Sequence, residues 1–164
     1  MMKIKGVTFF LALLSSTIFG LARAESSLCK APESVIFSCS TERAKIIALC
    51  LDGRTNLISY RYGRPTRIEL SYSEKMGAEN GFFSNHYFRP SVDYTRITFL
   101  INKYEYSMYR NYDATEGGIP RYGVIVSENG DEKTQIKCQS RVIDNMSKII
   151  KQLKCNEASA LGCS

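Results

Sequence analysis

Cys29, Cys39, Cys50, Cys138, Cys155 and Cys163 carry the most defined chemistry in this chain. Thiols can bind zinc, act as nucleophiles or pair as disulfides. Zinc sites need closely spaced Cys and His, and here no CxxC occurs and His86 is the single histidine. No metal or cofactor site is therefore expected. An even cysteine count fits structural disulfides, and six cysteines allow 15 pairings. The cysteines cluster at the two ends, so at least one bridge should close a loop of about a hundred residues. The expected pairs are Cys39–Cys50, Cys29–Cys138 and Cys155–Cys163.

Catalytic sets are hard to assemble. A Ser-His-Asp or Cys-His arrangement would have to use His86 as general base, and no GxSxG elbow marks a nucleophile. Glu69, Glu74, Glu79, Asp93 and Glu105 could in principle supply a glycosidase pair, yet their sequence settings read as solvated strand edges. Gly117-Gly118 lacks the frame of a phosphate-binding loop. No catalytic residue is therefore assigned. Two segments rich in aromatic and Arg residues remain, 76–90 and 110–121, both read as loops at one end of a sheet. Such side chains anchor protein interfaces because they bury large area at modest entropy cost. The expected partner-binding residues are Phe82, His86, Tyr87, Arg89, Arg110, Tyr112, Asp113 and Glu116. The competing reading of Phe82, Phe83 and Phe88 is that they plug the core.

The compartment follows from the first residues. Lys3 and Lys5 precede the apolar run Val7 to Leu14, and Ala22-Arg23-Ala24 offers small residues where a signal peptidase reads. Residues 1–24 are expected to be an export signal, which would place the cysteines where thiols are oxidised. The formal charge of +6 falls to +3 without Lys3, Lys5 and Arg23, leaving 19 basic against 16 acidic residues. That balance, spread along the chain, argues against nucleic acid as partner. No later apolar run approaches the ~20 residues of a membrane helix. Leu28 before Cys29 argues against a lipid anchor. A soluble periplasmic protein, monomeric or weakly dimeric, is expected.

The remaining 140 residues suit one domain, 25–164. Its segments are short runs of β-branched and aromatic residues broken by turn chemistry. Runs at 34–39, 45–51, 56–62, 67–72, 94–101, 104–109, 122–127 and 133–138 read as strands. Asp52-Gly53, Asn102-Lys103 and above all Asn129-Gly130 read as turns between them. The period changes only in the tail. Val142, Met146, Ile149, Ile150 and Leu153 recur at helical spacing, with Lys148, Lys151 and Lys154 opposite, which predicts an α-helix over 141–154. The expected fold is mainly β: an antiparallel barrel or sandwich of about eight strands with one C-terminal α-helix, stapled by disulfides.

The order Ile36-Phe37-Ser38-Cys39, Lys45-Ile46-Ile47-Ala48-Leu49-Cys50, Tyr60-Arg61-Tyr62-Gly63, Ile68-Glu69-Leu70 and Tyr104 to Tyr109, followed by Gly123 to Val126 and Ile136-Lys137-Cys138, resembles a family of small exported bacterial proteins. That resemblance spans most of residues 34–150 and implies fold and compartment. More loosely the chain is similar to periplasmic lysozyme inhibitors, which are also small disulfide-linked β barrels. Their Ser-Gly-containing inhibitory loop has no counterpart here. Together these features lead to the expectation of a non-enzymatic inhibitor or immunity protein whose partner is another protein, a secreted toxin or cell-envelope hydrolase. The alternatives are a small hydrolase using His86 and an envelope structural or adhesion subunit that self-assembles through an unpaired strand.

Overall fold

A computed structural model describes residues 27–163, so the expected export segment lies outside the described residues. The first four strands are β1 (Ser34–Thr41), β2 (Ile46–Asp52), β3 (Leu57–Arg64) and β4 (Arg67–Lys75). They form one antiparallel meander. A second comprises β5 (Phe83–Arg89), β6 (Val92–Ile101), β7 (Tyr104–Asp113), β8 (Arg121–Glu128) and β9 (Asp131–Asp144). Antiparallel pairing of β1 with β9 joins the two meanders into one sheet. A two-residue strand β10 (Lys154–Cys155) adds in parallel to β5, giving the order β10-β5-β6-β7-β8-β9-β1-β2-β3-β4.

This mixed sheet curls into a half-barrel. Alternation puts Phe37, Cys39, Ile47, Leu49, Ile58, Tyr60, Ile97, Phe99, Met108 and Val124 inside. The outer edges are brought together by rings. Phe99 lies 4.8 Å from Tyr60, 5.1 Å from Tyr72, 5.1 Å from Phe82 and 5.3 Å from Tyr106, centroid to centroid. Gly63 adopts φ +146° at a register shift between β3 and β4. A Cβ there would stand 2.5 Å from the Arg67 carbonyl oxygen, so only glycine permits this approach.

A smaller apolar layer covers the outer face of β2. Leu28, Ile46, Ala48 and Cys50 pack together with Cys29. The segment that carries Leu28 is strapped down by Cys29–Cys50 and by Arg61, which donates to both carboxylate oxygens of Glu33 at 2.6 Å.

Three expectations are corrected. The disulfides are Cys29–Cys50, Cys39–Cys138 and Cys155–Cys163, so only the last expected pair is right. Cys39 opposes Ile47 while Cys50 opposes Val35, and the two cysteines face opposite sides of the hairpin, which forbids Cys39–Cys50. Cys29 is thereby free for Cys50 and not for Cys138. The long loop is closed instead by Cys39–Cys138, 99 residues apart.

No α-helix spans 141–154. β9 continues to Asp144, and Asn145 still bonds to β1 through its N–H to the Ile36 carbonyl and its Nδ2 to the Val35 carbonyl. The chain then makes two 3-10 turns, Met146–Lys148 and Ile150–Gln152, in place of an α-helix before β10. Met146, Ile149 and Leu153 nonetheless reach the core, Met146 and Ile149 from one 3-10 turn and Leu153 after the next. Finally, 83–89 is a strand where a loop was expected. Ser84 and Asn85 are buried on it, Ser84 by donating to the Ile150 carbonyl and Asn85 by donating to the Asn156 and Gly162 carbonyls.

Candidate functional site

At one end of the half-barrel the β5–β6 turn meets the segment between β7 and β8. The Ala114 N–H donates to the Ser91 carbonyl at 2.8 Å, locking the two together. Asp113 caps the short 3-10 turn Ala114–Glu116 by accepting from the Thr115 N–H and hydroxyl. Those bonds hold its carboxyl below the usual range. The Tyr94 hydroxyl donates to the other Asp113 oxygen at 3.2 Å, and Arg121 pairs with Glu116. Both loops are thus braced by their own hydrogen bonds.

Beneath them a chain of charges fills the barrel mouth. In the strand register His86, Thr95 and Arg110 lie side by side, as do Phe88, Asp93 and Tyr112. Asp93 bridges the rows: Oδ1 lies 3.1 Å from His86 Nε2, and Oδ2 accepts from Arg110 at 2.7 Å. Arg110 Nε also lies 3.3 Å from Asp144 on β9. Burial alone would lower the Arg110 pKa, but the two carboxylates outweigh it and hold the guanidinium more firmly charged than usual. Burial also raises the pKa of Tyr122, whose ring lies tilted at 6.0 Å from the core ring Phe37. The mouth is therefore closed by a paired ionic network over an aromatic floor.

Above the network lies a cleft of about 260 Å³ lined by Phe88, Arg89, Ser91, Val92, Asp93, Arg110, Tyr112 and Pro120. Its rim is apolar and open. Phe88 is 69% exposed and Ile119, adjoining Pro120, is 75% exposed, the two most exposed large apolar residues among those described.

No family model, curated protein or solved structure matches this chain. The site is therefore read from its own geometry. Of the expected residues, Arg89, Arg110 and Tyr112 line the cleft, Asp113 and Glu116 belong to the 3-10 turn that follows Tyr112, and His86 pairs with Asp93 in the ionic network. Tyr87 points to the other face of β5, where it lies 6.3 Å from Tyr94 with the Arg89 guanidinium 5.9 Å over its ring. Phe82 is corrected: it is fully buried against Phe99 and Tyr72 and belongs to the core. Phe88, grouped with it in the core-plug reading, is instead the most prominent side chain of the rim. Asp144 and Ile119 were not expected. Ile119 had a visible signal, a lone large apolar residue between Gly118 and Pro120 where no strand pattern accounts for it.

Proposed function

We propose that this chain is an exported binding protein of the periplasm, an inhibitor or immunity factor that occupies a secreted toxin or cell-envelope hydrolase. The observation that carries this reading is the exposure of Phe88 near the end of β5 and of Ile119 beside Pro120, on segments tied together by the Ala114 to Ser91 hydrogen bond, with Phe88, Tyr112 and Pro120 lining one cleft. Large apolar side chains held in water by a rigid frame are characteristic of interface anchors, since little order is lost when a partner covers them. The three disulfides suit an oxidising compartment. Among the described residues no helix is long and apolar enough to cross a membrane.

The test is paired capture from envelope and secreted extracts with the oxidised protein and its Phe88→Asp/Ile119→Asp variant, followed by assay of any captured hydrolase or toxin. One stoichiometric partner, inhibited by the wild type and lost by the variant, is the expected result. A partner retained by the variant would place the interface elsewhere. His86→Gln separates the hydrolase alternative: an inhibitor keeps most of its affinity, whereas an enzyme using His86 as base loses turnover.

A further inference from the structure

Cys155–Cys163 stands in a different setting from the other two disulfides. Each of those keeps one sulfur in the core, at Cys39 and at Cys50, both fully buried. Here Cys163 is exposed and Cys155 half-buried, and both line a recess of about 290 Å³ together with Asn85 and Lys151. An exposed sulfur is open to attack by an external thiolate, whereas a buried one is shielded. The segment that this bridge closes is lightly held. Among the described residues, 156–162 hydrogen-bond to β5 only at Ser84 and Asn85. The Asn156 N–H donates to the Ser84 carbonyl, and Asn85 Nδ2 donates to the Asn156 and Gly162 carbonyls. Residues 158–161 share an open groove of about 650 Å³ with Thr98, Leu100, Glu105 and Ser107, so this stretch does not pack down on the strands.

Asn85 makes the two sulfurs unequal. Its Nδ2 lies 3.4 Å from Cys155 Sγ, and its buried Oδ1 has no partner. When Cys163 detaches, Gly162 moves away with it, which frees an Nδ2 hydrogen for the Cys155 sulfur. That amide donor, and the positive charge of Lys151 in the same recess, favour a thiolate at Cys155. A stabilised thiolate is the better leaving group. The unpaired Oδ1 burdens the closed form, and opening admits water to it. We propose that Cys155–Cys163 is a reversible exchange site for dithiol reductants, attacked at Cys163 with Cys155 as the leaving thiolate, whose opening unhooks residues 156–163 from β5. The incoming thiolate bonds to Cys163 Sγ, and the electron pair of the broken S–S bond stays on Cys155. The second sulfur of the reductant then displaces Cys163 from the mixed disulfide. The reductant departs as a disulfide, and its two protons end on Cys155 and Cys163. The other two bridges stay closed, so the sheet and the Phe88 cleft persist.

The experiment exposes the oxidised protein to a concentration series of dithiothreitol, quenches with iodoacetamide and maps the labelled cysteines by mass spectrometry. Cys155 and Cys163 should label together at about a tenth of the dithiothreitol that the other four cysteines require. A brief reaction with glutathione, stopped with acid, should leave glutathione on Cys163. In the selectively reduced protein, hydrogen exchange should show amides of 156–162 losing protection while those of β6 and β7 keep theirs. Release of all three bridges at one dithiothreitol concentration overturns the proposal. So does glutathione found on Cys155 in place of Cys163, or protection of 156–162 that reduction leaves unchanged.

Discussion

Phe99 touches four other rings, and its removal should be felt more than that of any exposed aromatic. Phe99→Ala leaves a cavity at the seam where β4 approaches β5, and a loss of ~3–5 kcal/mol is expected in urea unfolding. Phe88→Ala is the control with the opposite signature: stability within ~0.5 kcal/mol of wild type, but partner affinity weakened by ~2 kcal/mol in titration calorimetry. The Glu33 to Arg61 pair gives a third test. Its hydrogen bonds from Arg61 hold the Glu33 carboxyl below its ordinary 4.5. A depressed carboxylate contributes stability that is fully present above pH 4.5 and is lost as pH falls through the folded value. Glu33→Gln should therefore lower stability at pH 7 by ~1–3 kcal/mol and flatten the acid limb, read by denaturant unfolding at pH 7 and pH 3.

At the scale of elements, strands were legible wherever one face meets the core and the other meets water. The turns at Asn102 and Asn129-Gly130 were legible too, because positive φ there demands these residue types. β5 was hidden because the C-terminal segment buries Ser84 and Asn85, so polar residues occupy positions that a half-exposed strand would leave to solvent. The tail misled for a related reason. Its apolar spacing is real and its side chains do reach the core, but bonds from Asn145 to β1 fix the backbone before a helix can start. Arg89, Arg110 and Tyr112, singled out by their type and turn-rich setting, are brought together in the lining of one cleft. Asp144, the far end of their ionic network, was not singled out, since only the β1–β9 pairing and the bulge at Arg141, with φ +53°, bring it to the barrel mouth. The disulfides differ in what they constrain. Replacing Cys39 and Cys138 by Ala opens a loop of 99 residues and should cost ~4–5 kcal/mol, whereas replacing Cys155 and Cys163 opens one of 8 and should cost ~2–3 kcal/mol by the same chain-entropy argument. Thermal unfolding of the two double variants checks the order.

Taken whole, the molecule is a sheet whose first strand is finished by its ninth. β1 is paired on one side by β2, within a dozen residues, and on the other by β9 from the far end of the chain, so the half-barrel cannot close until nearly all strands exist. Long-range pairing of this kind slows folding, because chain ends must meet before their contacts reward them. The cysteines compound the difficulty. Cys29–Cys50 and Cys39–Cys138 overlap along the sequence, each bridge enclosing one cysteine of the other. A chain oxidised in the order in which its thiols emerge would join Cys29 to Cys39 first, and that link belongs to no part of the final structure. Native connectivity must then be reached by thiol–disulfide exchange. Refolding the reduced chain with an oxidant alone should trap mispaired isomers, and adding a mixture of reduced and oxidised glutathione should convert them, as followed by peptide mapping. In any compartment that oxidises these thiols the chain should need a disulfide isomerase to reach its fold in quantity, and a shuffled chain left without one should be the better substrate for proteolysis.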